Sequence, residues 1–207
     1  MLKNSKLYLV LDRDVAGYGR LFDILKKAVA GGVDIVQLRD KKSRPEEIIG
    51  FTKRAMKFLR GRIPFIVNDR VDVAIASGAS GVHLGQEDVP VETARRLMGP
   101  GAMIGVSCQT LDAARRAKAE GADYIGFGSV FKTLTKPGRR PMDLKLLSRV
   151  CREIKIPVFA IGGIDAKNIF LAKRAGAKRI AVTRAICSAK NVRNTAASFK
   201  RILSFQI

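Results

Sequence analysis

Apolar residues in this chain come in short, nearly unbroken runs, separated by stretches in which they recur at every third or fourth position. The runs at 7–12, 34–40, 63–69, 81–85, 103–107, 124–131, 157–163 and 179–183 have strand length and almost no alternation. That is the pattern of parallel strands covered on both faces. Between the runs the period is helical. Leu21, Leu25, Ala28 and Val29 share one helical face, and Gly31-Gly32 closes that helix. Ser43 with Glu46 three residues on reads as a capping box, with Pro45 in the first turn. Thr110 and Asp165 stand where two later helices need N-caps. Small-residue phrases at 31–34, 77–81, 120–124 and 174–178 recur just before strands, as one helix-to-strand turn reused.

Eight strands each followed by a helix predict an α/β protein, a single-domain (β/α)8 TIM barrel over residues 1–207. Dividing 207 residues among eight units gives about 26 each, compact but sufficient. A doubly wound open sheet is the competing architecture, and no G-x-G-x-x-G follows the first strand to support it.

Composition narrows the setting. No apolar run is long enough to cross a bilayer, and the first residues carry Lys3 and Lys6 but no signal-peptide core. Cys108, Cys151 and Cys187 form no C-x-x-C pair, and the chain has one histidine, so neither a disulfide framework nor a thiolate zinc site is expected. The expectation is a soluble, cytoplasmic protein. Thirty-nine Lys and Arg against 18 Asp and Glu give a net charge of +21, which suits a polyanion or phosphorylated small molecules. The basic residues are spread along the chain without an aromatic-interleaved cluster, and aromatics are 6%, so nucleic acid is not the expected partner.

In a barrel the chemistry sits at the C-terminal ends of the strands. Gln37, Arg39 and Lys41 alternate with period two and share one face. Turned into the mouth, they aim an amide and two cations at one ligand; in the reverse register they are solvated charges. Asp69 and Asp88 leave neighbouring strands and suit Mg²⁺ shared with a substrate phosphate. Their simpler readings are a turn residue and a helix N-cap before Pro90. His83 lies in an apolar strand end and reads as a satisfied semi-buried side chain. The long loop after the sixth strand carries Thr133, Leu134, Thr135 and Lys136, hydroxyls and an ammonium suited to phosphate. Gly162-Gly163 and Thr183-Arg184 end the last two strands, where many barrels bind phosphate on backbone N–H groups.

Seven stretches together resemble the thiamine-phosphate synthase family. They are Val36-Gln37-Leu38-Arg39-Asp40-Lys41, Val67-Asn68-Asp69-Arg70, Ile104-Gly105-Val106-Ser107, Tyr124-Ile125-Gly126-Phe127-Gly128, Thr133-Leu134-Thr135-Lys136, Ala160-Ile161-Gly162-Gly163 and the segment from Gly81 through His83 and Gly85 to Asp88. The resemblance implies an Mg²⁺-dependent transferase joining a pyrimidine methyl diphosphate to a thiazole phosphate, with or without its carboxylate, and releasing pyrophosphate. By position it implies that Gln37, Leu38, Arg39, Asp40, Lys41, Asn68, Ser107 and Lys136 bind the pyrimidine diphosphate. Of these, Arg39, Lys41, Ser107 and Lys136 would act in catalysis. Asp69 and Asp88 would hold Mg²⁺. Thr133, Leu134, Thr135, Gly163, Thr183 and Arg184 would take the thiazole phosphate, and a homodimer is implied. Arg184 stands where serine is frequent in the family, and Cys108-Gln109 where Thr-His is frequent. A thiazole tautomerase of the same fold is the nearest alternative; its histidine position is taken by Ser129. A non-catalytic phosphate- or nucleic-acid-binding barrel is the third reading.

Overall fold

The apolar runs become eight parallel strands and the helical stretches become the layer around them, in a computed structural model that describes residues 2–134, 138 and 140–205. The strands are β1 (Leu7–Asp12), β2 (Ile35–Arg39), β3 (Phe65–Asn68), β4 (Gly81–Leu84), β5 (Met103–Cys108), β6 (Tyr124–Phe127), β7 (Val158–Ile161) and β8 (Arg179–Val182). Each pairs with the next, and β8 returns to β1, with Leu7 opposite Ile180, to close the barrel. The helices are α1 (Tyr18–Ala30), α2 (Pro45–Leu59), α3 (Val71–Ser77), α4 (Val91–Met98), α5 (Leu111–Ala119), α6 (Leu144–Glu153), α7 (Ile169–Arg174), α8 (Arg184–Cys187) and α9 (Val192–Ser204). The short α8 is an addition to the eight βα units.

Strand periodicity divides the interior in two. Leu7, Leu9 and Leu11 point outwards into the core shared with the helices, as do Val36 and Leu38 of β2. Tyr8 points inwards, where it meets Ile35, Ile66, Tyr124, Phe159 and Ala181 in a plug across the barrel. Each large aliphatic side chain of the outer layer contributes about 1.5–3 kcal/mol on burial. The fold therefore rests on that layer, and the inward positions above the plug can be polar. Glycines on β5 and β6 leave room for what sits there. A Cβ on Gly105 would lie 2.1 Å from the Tyr124 ring, and one on Gly126 would lie 3.2 Å from His83.

Three expectations shift in detail. The run 124–131 pairs as a strand only to Phe127. Val130 is buried, yet its N–H bonds to Ile161 O (3.0 Å) from a loop, so apolarity outlasts the ladder. The capping box lies one residue later than expected: Arg44 is the N-cap of α2, Pro45 follows it, and Glu47 accepts from the Arg44 N–H at 3.2 Å. Ser43 is instead tied to Asp40 through its own N–H. Asp165 accepts from the N–H groups of Lys167 and Asn168, which caps a turn three residues ahead of α7 rather than the helix itself. Thr110 caps α5 as expected, accepting from Ala113 N at 3.1 Å.

Candidate active site

Above the tyrosine plug a cavity of about 280 Å³ opens at the C-terminal mouth of the barrel. Period two brings Gln37 and Arg39 of β2 into its wall, with Asn68 of β3, His83 of β4 and Ser107 of β5. The same geometry turns Leu38 into the outer core, where it is 1% exposed. Asp40 also leaves the wall. It accepts from Tyr18 Oη at 2.5 Å and from the N–H groups of Lys42 and Ser43 at 2.9 Å, and so it shapes the loop after β2. Burial alone would raise its pKa, but these donors hold it below the ordinary carboxylate range. Neither the Leu38 nor the Asp40 side chain is among those that line the cavity.

The floor is a run of hydrogen bonds between residues far apart in sequence. Gln37 Nε2 donates to Tyr8 Oη at 2.8 Å, and the Tyr8 and Tyr124 hydroxyls are 2.9 Å apart. Tyr124 Oη lies 3.2 Å from His83 Nδ1, and His83 Nε2 lies 3.0 Å from Ser107 Oγ. Burial pushes both phenols well above the ordinary tyrosine range, so they remain hydroxyl groups. His83 is satisfied at both ring nitrogens, as its place in an apolar strand suggested.

Neither cation of the β2 end stands alone. Arg39 Nη1 donates to the buried Asp12 Oδ2 at 2.8 Å, while its buried Nε has no hydrogen-bond partner among the described residues. Lys41 Nζ pairs with Asp69 Oδ2 at 2.8 Å. Asp69 has a left-handed backbone (φ 62°), which aspartate tolerates better than most residues, and its N–H bonds to His83 O. Its side chain also meets that of Asp88. Burial works to raise both carboxyls, and the two separate: Lys41 holds Asp69 below the usual range, whereas Asp88, facing Asp69, stays above it. Asp88 is not the N-cap of α4, which is Pro90; it accepts from Gly85 N at 2.6 Å. Two hard oxygen donors with more negative charge than one lysine can balance form a set that fits Mg²⁺. Among the described residues, no group of three or more His, Cys, Asp and Glu side chains adds to them.

The far wall belongs to the loops after β6, β7 and β8, and includes Ser129, Lys132, Thr133, Leu134, Gly163 and the Thr183-Arg184 pair. Thr135 and Lys136 lie outside the described residues. Gly163 has φ 65°, and a Cβ there would lie 2.3 Å from Lys132 O. Glycine is needed at 163 to let the β6 loop pack on the β7 loop, a reason that the sequence reading, which expected room for a phosphate, did not contain. Phe131 N to Gly162 O (2.9 Å) and Asn168 Nδ2 to Gly163 O (2.8 Å) hold that contact together.

Comparison with known proteins decides between the readings of this mouth. The profile of one family, described as thiamine monophosphate synthase, matches residues 7–186. The chain belongs to that family. It is 46% identical over 96% of its length to a thiamine-phosphate synthase of Gloeobacter violaceus, of which it spans 57%. It is 39% identical to that of Halalkalibacterium halodurans, covering 98% of this chain and 97% of the other. Among solved structures, the thiamine phosphate pyrophosphorylase from Pyrococcus furiosus superposes with a TM-score of 0.86 at 36% identity, covering 96% of this chain and 95% of that one. Neither the tautomerase nor the non-catalytic reading gains support from these relatives.

The family resemblance assigned residues to the wall, but three residues that support it were not legible. Tyr8 and Tyr124 read as ordinary apolar strand positions, and only the register places them under Gln37 and Ser107. Asp12, the partner of Arg39, ends β1, and its position at a strand end was the available signal. Elsewhere the structure departs from the expectation of evenly scattered charge. Phe22 and Phe58 share an outer groove with Arg54, Lys57, Arg60 and Arg62, and the Arg54 guanidinium lies 4.0 Å over the Phe22 ring.

Proposed function

We propose that this chain transfers a pyrimidinylmethyl group from its diphosphate to the nitrogen of a thiazole phosphate, yielding thiamine phosphate and pyrophosphate, with loss of CO₂ as well where the thiazole carries a carboxylate. The proposal includes Mg²⁺ at Asp69 and Asp88, work in the cytoplasm with its three free cysteines, and a homodimeric assembly. One observation carries the reading. Gln37, Asn68 and Ser107 from β2, β3 and β5 open into the same cavity as Thr133, Gly163, Thr183 and Arg184 from the opposite side of the barrel. Two ligands bound from two sides would meet in its middle.

On this reading Gln37 and Asn68 hold the aminopyrimidine ring, and Ser107 and Lys41 face its diphosphate. Arg39, anchored by Asp12, keeps a buried Nε that has no partner among the described residues and calls for an acceptor. Lys136 is included by its place in the family motif. The chemistry that Mg²⁺ supplies when bound is neutralisation of the diphosphate charge. As the carbon–oxygen bond breaks, charge builds on the departing oxygens, and prearranged donors of the chain stabilise it. The ring delocalises the positive charge left on its methylene, and the thiazole nitrogen attacks that carbon. Tyr8, Val10, Phe159 and Ile161 give the cavity apolar walls that keep water from the cation. No protein nucleophile is required, and holding two substrates in line contributes about 7–11 kcal/mol. Incubation of the protein with both phosphorylated substrates and Mg²⁺ should yield thiamine phosphate by mass spectrometry. No product over a range of pH and temperature would overturn the reading.

A further inference from the structure

The floor of the cavity has a direction. Gln37 Nε2 is a donor only, so Tyr8 Oη accepts from it and must place its own proton elsewhere. Its other partner is the Tyr124 hydroxyl. Were Tyr124 to donate to Tyr8 instead, the Tyr8 proton would be buried without an acceptor among the described residues, an arrangement native interiors avoid. Tyr8 therefore donates to Tyr124, and Tyr124, its oxygen now occupied, donates onward to His83 Nδ1. An imidazole that accepts at Nδ1 carries its proton at Nε2, which then donates to Ser107 Oγ. Ser107 is left with its own hydroxyl proton and a place in the cavity wall.

We propose that Tyr8, Tyr124 and His83 are positioning residues that relay the polarity of the Gln37 amide to Ser107 and fix its hydroxyl as a hydrogen-bond donor into the cavity. The inference rests on the proposed synthase reading for what Ser107 meets there, an oxygen of the departing diphosphate. The direction of the relay does not depend on that reading. With the Gln37 carbonyl turned to Tyr8 the same groups would run in reverse, His83 would carry its proton at Nδ1, and Ser107 would donate to His83 rather than to a ligand.

His83 is the single histidine of the chain, so its ring can be read without assignment. In protein labelled with ¹⁵N-histidine, NMR at neutral pH should show one tautomer, protonated at Nε2. The Nδ1–H tautomer, or a mixture of the two, would overturn the relay. Tyr124→Phe should move the Nδ1 resonance towards that of a nitrogen without a donor; an unmoved resonance would also overturn it. In kinetics Tyr124→Phe should lower kcat on the order of 10-fold, with KM for the thiazole phosphate unchanged. That loss should vanish in a Ser107→Ala background, whereas independent effects of the two substitutions would show that Tyr124 does not act through Ser107. Should Tyr124→Phe fail to fold, Tyr8→Phe against Ser107→Ala repeats the cycle one step earlier. Absence of product from the wild type would end the synthase reading while leaving the tautomer result to decide the relay.

Discussion

Asp69 and Asp88 set two carboxylates against one ammonium, and that imbalance moves the two carboxyls in opposite directions. The raised carboxyl of Asp88 means that its ionised form is disfavoured in the fold. By linkage, a carboxyl raised on folding favours the native state below its unfolded pKa, and that contribution is lost as pH rises through the folded value. Asp69 works in the opposite sense: lowered by Lys41, it stabilises above its unfolded pKa and loses that effect as acid protonates it. Asp88→Asn should therefore leave the melting temperature in EDTA unchanged or higher at about pH 7, and that advantage should fade at about pH 3, where the wild-type carboxyl is neutral in both states. The same substitution should raise the Mg²⁺ needed for half-maximal turnover by about 10-fold or more, and Asp69→Asn should do likewise, since asparagine retains the left-handed backbone at 69. Mg²⁺ titrations with melting curves for both variants check this. Superimposable Mg²⁺ curves for wild type and variants would remove the two-carboxylate metal site.

At the scale of elements, the mouth depends on how the β6 and β7 loops pack. Gly163→Ala forces a Cβ into Lys132 O and onto a positive φ, so the β6 loop must move away. The expected cost is about 1–3 kcal/mol in stability, with a melting temperature lower by several degrees. Because Lys132, Thr133 and Leu134 ride on that loop, KM for the thiazole phosphate should rise as well. If glycine were there only to admit a phosphate, binding would weaken while the melting temperature held; calorimetry beside KM separates the two. What the sequence could reveal follows the same division. Period two is imposed by the strand itself, so Gln37 and Arg39 were legible as one face, and that period also sends Leu38 out to the helices. The eight strands were legible because continuous apolar runs are what doubly covered strands require. Cross-barrel partners were not legible: Arg39 reaches back 27 residues to Asp12, and Tyr8 reaches 116 residues to Tyr124. Only barrel closure makes such residues neighbours, and a tyrosine that belongs to a polar relay looks, in one dimension, like any other apolar strand residue.

For the whole molecule the governing quantity is the charge of +21. Even if all 18 carboxylates were paired, 39 cations less 18 would leave 21 without a partner. The described ion pairs include several exposed ones, such as Lys27 with Asp23 and Lys42 with Asp14. Exposed pairs are worth about 0–1 kcal/mol each and weaken with salt. Repulsion among the unpaired cations acts in the opposite direction, since it opposes the compact state and is relieved by screening. The outer groove concentrates that repulsion: Arg54, Lys57, Arg60 and Arg62 share it, and none of them makes an ion pair among the described residues. With the excess larger than the number of pairs, relief should win. Raising KCl from about 20 to about 200 mM shortens the Debye length from roughly 20 Å to roughly 7 Å. The melting temperature should climb by a few degrees over that range, at about 2–4 °C for each kcal/mol in a chain of this size. Chloride is the anion to use, because phosphate or pyrophosphate would add binding at the mouth to the screening effect. A melting temperature that falls with KCl would show that the ion pairs, Arg39 with Asp12 and Lys41 with Asp69 among them, outweigh the surface excess.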